Sequence, residues 1–161
     1  MYWHASVVGS VCMADTLDIT TERVDDIPVL LAQAEKIGVA TLLDVHFEPH
    51  GNWQGSSLGW TATVWLAHTR SVSEGDHQLN QVQEWVAQRL QILRMGPGQP
   101  VHALEWSDDR LGVVLDKFSD AGQWQEFERE LNRRTIRVYR LKPSQVRVAN
   151  GVAPPPAVTG R

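Results

Sequence analysis

The sequence has one cysteine in 161 residues. Cys12 has no internal partner, so a disulfide framework is excluded and a reducing compartment such as the cytoplasm is expected. Its own thiol reads as a small inert residue rather than a nucleophile. Long apolar runs are also missing. The longest uncharged stretch, Pro49 to Thr69, contains His50, Asn52, Gln54 and several Gly, Ser and Thr. It reads as a loop followed by a buried helix, and no membrane partner is expected. No Lys or Arg precedes the mildly apolar Ala5–Ala14 stretch, so the positive region of a secretory signal is absent. Neither a phosphate-cradling glycine loop nor a nucleophile elbow is present, and no cofactor or small-molecule substrate is expected.

Basic residues are scarce in most of the chain and acidic ones are scarce at its end. Residues 1–128 hold 7 Lys/Arg against 18 Asp/Glu, and residues 129–161 hold 8 against 1. The overall charge of −4 therefore hides an acidic body and a basic end. The whole-chain balance argues against a general nucleic-acid binder, while the basic end remains able to meet phosphate.

The hydrophobic pattern predicts an all-α protein, a multi-helix orthogonal bundle of about six helices with a disordered Pro/Ala-rich C-terminal tail. Asp25 and Asp26 cap a first helix with Pro28 in its first turn. Ile27, Leu30, Leu31, Ala34 and Ile37 share one face, and Gly38 ends the helix. A short helix runs from Val39 to about His46. The pair is read as a hairpin or a helix-turn-helix, with the hairpin favoured because the second helix has no basic residue except histidine. Ser56 or Ser57 opens a third helix, uncharged until Arg70 and so the expected central one. Ser73-Glu74-Gly75-Asp76 closes it.

A fourth helix is expected over Leu79–Met95, with one stripe at Leu79, Val82, Val86, Leu90 and Leu93. Trp85 and Ile92 form a second stripe, placed as a contact with a neighbouring helix or a partner chain. Gly96 to Pro100 is a break. Ser107 caps a fifth helix whose core side is Leu111, Val114, Leu115 and Phe118. Asp120 caps the last, Ala121 to about Leu141, and Pro143 closes it. Beyond it, Val146 and Val148 begin a strand-like alternation that dissolves into Pro154-Pro155-Pro156.

Three groups of residues bear on function. Trp124, Phe127, Leu131, Thr135 and Val138 share one face of the last helix. Arg129, Arg133, Arg137 and Arg140 fall opposite, within about 80° of one another. Such a stripe suits successive phosphates, since guanidinium groups grip phosphate oxygens bidentately. The alternative is a solvated face in which Glu126 and Glu130 pair with Arg129, Arg133 and Arg134. Trp53, in a Gly-flanked loop, is either a partner contact or a loop anchor folded onto the core. His46, His50 and Asp44 are ligand types, but Pro49 breaks their helical spacing and no metal site is assigned. His68 is expected as a core histidine, and Asp76 beside His77 as a cap.

The strings Thr21-Glu22-Arg23-Val24-Asp25-Asp26-Ile27-Pro28-Val29-Leu30-Leu31, His50-Gly51-Asn52-Trp53-Gln54-Gly55, Leu58-Gly59-Trp60-Thr61, Val64-Trp65-Leu66-Ala67-His68, Ser73-Glu74-Gly75-Asp76-His77 and Trp106-Ser107-Asp108-Asp109-Arg110-Leu111 resemble the N-terminal part of bacterial insertion-sequence transposases of the DDE class. The resemblance covers about residues 20–148. It implies a helical domain at 21–142 before an RNase H-like core in which three acidic residues bind two divalent metals. Residues 1–20 are then an extension, expected disordered, and 143–161 the remnant of a first core strand with its disordered tail. Where the first core carboxylate would follow, the chain has Ala149 and Asn150.

The expectation is a truncated, catalytically inactive transposase fragment that binds transposon-end DNA or a full-length transposase chain. The alternatives are a protein-interaction or dimerisation module without DNA contact, and a pseudogene product. The purified 161-residue chain is accordingly predicted to leave end DNA uncut in Mg²⁺ or Mn²⁺, having no carboxylate cage for the two ions. Metal-dependent cleavage abolished by a point mutation within the chain is the result that contradicts this.

Overall fold

The computed structural model describes residues 21–49, 51–71, 78–95 and 101–142. Among these residues there is no strand. The elements are α1 (Ile27–Ile37), α2 (Val39–His46), α3 (Leu58–Arg70), α4 (Val82–Ala87), α5 (Leu90–Arg94), α6 (Asp108–Phe118) and α7 (Ala121–Tyr139), with 3-10 turns at Leu79–Gln81 and Ala103–Trp106. The chain is all-α, as its pattern predicts. The expected extension at 1–20, the strand and tail at 143–161, His50 and the Ser73–His77 segment lie outside the described residues.

α3 is the central element. It contacts α1, α2, α4 and α6, while α7 packs on α1, α2 and α6. Eight of its thirteen residues are buried. Its N-terminus is capped by Ser57, whose hydroxyl accepts the Trp60 N–H at 3.1 Å. Burying Thr61 and Thr63 demands partners for their hydroxyls. Each donates to the carbonyl one turn back, Thr61 to Ser57 at 2.9 Å and Thr63 to Gly59 at 2.7 Å. His68 is buried, with its ring edge on Trp85 at 5.2 Å.

Two cores form on either side of α3. Val64 and Ala67 join Ile27, Leu31, Trp85, Val86, Leu93, Trp106 and Leu111 in one. Leu58 and Ala62 join Leu42, Leu43, Phe47, Val114 and Phe127 in the other. Gly38 makes the sharp α1–α2 junction in the left-handed region, at φ 81°, and donates its N–H to the Ala34 and Glu35 carbonyls. The junction is a single residue, and α2 is buried through Val39, Leu42 and Leu43.

Several boundaries differ from expectation. The predicted helix over Leu79–Met95 is broken. A 3-10 turn precedes α4, and Arg89, at φ −134° and ψ 28°, separates α4 from α5. α3 ends at Arg70 and α7 at Tyr139. Asp26 stands at the N-cap of α1 without a side-chain cap bond. Its carboxylate instead accepts the Ser71 hydroxyl at 2.8 Å, tying α1 to the end of α3. Leu115, expected in the core, is 48 % exposed, because the α6 surface buried against α3 is centred on Leu111 and Val114.

α2 and α3 approach closely at Gly59. A Cβ there would stand 2.0 Å from the Ala40 carbonyl oxygen, and the Gly59 N–H donates to Asp44 at 2.6 Å. Replacing a helical glycine by alanine ordinarily stabilises by roughly 0.5–1 kcal/mol. Here the sign is predicted to reverse: Gly59→Ala should cost about 1–3 kcal/mol in urea unfolding, as backbone overpacking does.

Candidate nucleic-acid interface

α7 begins at Asp120, whose carboxylate accepts the Gly122 and Gln123 N–H groups at 2.9 and 3.0 Å. Its inner face is the predicted one. Phe127 is buried, and Trp124, Leu131, Thr135 and Val138 are half-buried. Trp124 and Phe127 meet Phe47 at 5.9 and 5.8 Å in an aromatic cluster completed by Phe118. This packing fixes the rotation of α7 and sends the opposite face to solvent. Arg129, Arg133, Arg137 and Arg140 are all exposed on it.

The arginines divide into two groups. Arg129 bonds Glu126 at 2.5 Å, and Arg133 pairs with Glu130 at 3.7 Å, both at i,i+3 spacing. The hydrogen bond and charge of Arg129 hold the Glu126 carboxyl below the usual carboxylate range. Glu130 also holds the Arg134 Nε at 3.3 Å. These are the pairs of the solvated-face alternative. Arg137 and Arg140 have no acidic partner among the described residues. Residues 131–142 carry Arg133, Arg134, Arg137, Arg140 and Lys142 and no acid. Lys36 joins them from the end of α1, its ammonium 4.8 Å above the Tyr139 ring, and the Tyr139 hydroxyl bonds Gln33. The basic surface is thus concentrated where α1 and α7 end side by side.

Arg140 has an unusual backbone. It occupies the C-cap of α7 at φ 50°, a left-handed conformation that favours glycine. Its N–H bonds the Arg137 carbonyl at 3.3 Å, and the Leu141 N–H closes on Ile136 at 2.9 Å.

The proposed partner-contact residues fare differently. Trp85 is 4 % exposed and lies in the first core, which removes it from any surface. Ile92 is half-buried against the same core. Trp53 is half-buried and held as a loop anchor. Its indole donates to the Ser56 carbonyl at 2.7 Å, and the Arg110 guanidinium stacks 3.9 Å from its ring centroid. Arg110 also donates to the Gln54 and Ser56 carbonyls at 2.6 and 3.2 Å. Partial burial pushes the Arg110 guanidinium pKa down, and Glu105 opposes that shift. The Glu105 carboxylate accepts the Ser56 N–H at 3.1 Å.

The remaining polar candidates have structural partners. His46 lies edge-on to Phe127 at 6.2 Å, and Asp44 holds Gly59. Among the described residues no three metal-ligating side chains gather, and no helix is long and apolar enough to cross a membrane.

Sequence reasoning missed two features. Trp106, in the 3-10 turn before α6, is fully buried and donates to the Thr61 carbonyl at 3.0 Å. Its four-residue turn is too short to show a period. An apolar groove of about 410 Å³ lies between α3 and α7, with Trp65, Leu66 and Thr69 on one wall and Trp124 and Leu131 on the other.

Comparison of the chain with protein-family models, with curated proteins and with solved structures finds no match.

The Trp53 loop yields a direct prediction. Arg110→Ala removes a stacked cation and two carbonyl bonds, so protease cleavage within 51–56 should accelerate and stability should fall by about 1–3 kcal/mol. Arg110→Lys should recover only part of it, because an ammonium cannot stack and donate in one plane. Equal protection in all three proteins would show that the loop is held by other contacts.

Proposed function

We propose that this chain is a non-catalytic helical binding module, the N-terminal domain of a DDE-type insertion-sequence transposase, and that it meets the phosphate backbone of transposon-end DNA through the end of α7. The observation that carries this reading is the cluster of Arg137, Arg140, Lys142 and Lys36, with no acidic partner for Arg137 or Arg140 among the described residues. From Arg129 to Arg140 the helical rise spans about 17 Å, and duplex DNA presents one charge per ~1.7 Å of its axis. Several phosphates therefore fall within reach of one helix face. The acidic body opposes the approach, so binding is weak and confined to this end of the molecule.

A second reading, favoured by the α3–α7 groove, is self-association of the chain without DNA contact. An aromatic-lined concavity is the kind of surface that homodimers bury.

Binding across a salt series separates the two. Phosphate contacts release counterions, so affinity falls with salt with a slope of about 0.9 per contact. Replacing all four arginines by Gln should flatten the slope by up to about one unit per lost contact, with helicity kept. Arg137→Gln with Arg140→Gln should account for most of that loss, because Arg129 and Arg133 are occupied by Glu126 and Glu130. Arg140→Gly should stabilise the fold by about 1 kcal/mol, by relieving the left-handed backbone, while weakening DNA binding. Identical salt slopes for wild type and the four-fold variant would mean a solvated face. A concentration-dependent dimer in sedimentation would then support the second reading.

A further inference from the structure

The segment 79–95 contains neither glycine nor proline and is rich in Gln, Leu and Arg. Local propensity therefore favours one helix. The structure breaks it at Arg89, and the hydrogen bonds across the break explain how. A continuous helix would send the N–H groups of Arg89, Gln91 and Ile92 to the carbonyls of Trp85, Ala87 and Gln88. Instead the Trp85 carbonyl accepts the Arg89 guanidinium at 3.2 Å, while the Arg89 N–H turns to Val86 at 3.0 Å. The Gln91 and Ile92 N–H groups both go to the Glu22 carboxylate, at 2.8 and 3.1 Å, from some seventy residues away in sequence. Side chains thus stand in for the backbone partners that the break removes.

A further support comes from the same short arm. Asp25 brings its carboxylate to 3.9 Å from the Arg89 guanidinium, which is 3 % exposed and lies 4.8 Å from the Trp85 ring centroid. To do so Asp25 adopts φ 45°, an uncommon conformation for a residue other than glycine, and Arg23 braces it at 2.7 Å. A strained residue and a remote helix cap at one junction are what a held conformation requires.

We propose that residues 22–25 are a latch that keeps α4 and α5 apart, and that its release joins residues 79–95 into one continuous helix. The latched state is the resting one, since it keeps Leu93 fully buried. Displacement of the arm frees the Gln91 and Ile92 N–H groups, which then find Ala87 and Gln88. The direction of α5, with exposed Arg94 and Met95 at its end, is set by whether the arm is docked. This inference does not rest on the DNA reading, and its test involves no DNA.

The test is the Glu22→Ala protein, observed by NMR at Arg89, Gln91 and Ile92. A released latch moves the Arg89 Cα shift into the helical range while Gln91 and Ile92 remain slow to exchange. An Arg89 shift unchanged from wild type overturns the proposal. Glu22→Gln, which keeps one acceptor, should move the shift less, in the same direction.

Gln91→Pro provides an independent check should Glu22→Ala fail to fold. Residue 91 is the second of α5, as Pro28 is the second of α1, so proline is tolerated with the break and forbidden in a continuous helix. Gln91→Pro alone removes one of the two N–H groups that Glu22 caps and leaves the Ile92 bond. It should therefore fold with the Arg89 shift at its latched value but with somewhat lower stability, and in the Glu22→Ala background it should return the Arg89 shift to that value. Unfolding by Gln91→Pro alone would show that position 91 behaves as helix interior, and would also overturn the proposal.

Discussion

The all-round burial of α3 is the constraint on which the rest of the bundle depends. A helix surrounded on most sides must satisfy its polar groups internally and must let its neighbours come close. Thr61 and Thr63 meet the first demand by bonding back to their own helix. Gly59 meets the second, since only the absence of a side chain lets α2 approach at Ala40. Once α3 is covered, the two cores form on its flanks. α7 is then laid across α2 by Phe47, Trp124 and Phe127, and the face it turns outward is no longer free to vary. The position of the arginines is a consequence of aromatic packing on the far side of their helix.

The α4–α5 region shows the opposite kind of control. Its local sequence favours a helix, and tertiary contacts override that preference. The override works by substitution rather than by simple disruption: the donors left without helical partners at Gln91 and Ile92 are given a carboxylate. Buried or half-buried backbone groups left without partners would cost about as much as the hydrogen bonds they lose. Here a distant carboxylate supplies those bonds, at an exposed position for Gln91 and a half-buried one for Ile92. The bonds make residues 22–25 part of this junction, although they lie far away in sequence.

This contrast explains how much was legible in the sequence. Helices with a cap, a period and a stop were readable: α1 from Pro28 to Gly38, α2 up to His46, α3 from Ser57 and α7 from Asp120. Each is specified within its own residues. The break at Arg89 was not readable, because its cause is a carboxylate some seventy residues away. Trp85 stood in a second stripe meeting either a neighbouring helix or a partner chain, and spacing does not choose between them; in α4 it is buried together with Val82 and Val86. Trp106 was missed because a 3-10 turn of four residues has no period to detect. In the candidate site, the exposure of the four arginines followed from periodicity alone. Their division into paired and unpaired members depends on side-chain geometry, which spacing suggests at Glu126 and Glu130 but does not settle.

The cations at the end of α7 have more than one physical explanation, and the explanations do not cover every residue. Positive charge near a helix C-terminus complements the macrodipole, an effect confined to the last turn. It accounts for Lys36 in α1 and for Arg137 in α7. Ion pairing within the helix accounts for Arg129, Arg133 and Arg134. Arg140 is less easily covered. It sits just beyond the helix with its side chain exposed and no acidic partner among the described residues. Its left-handed backbone costs on the order of 1 kcal/mol that glycine would avoid. A residue that weakens the cap it occupies is the one whose charge calls most for a role outside the fold. The proposed phosphate contact would fall to Arg140 and Arg137 before the arginines already paired.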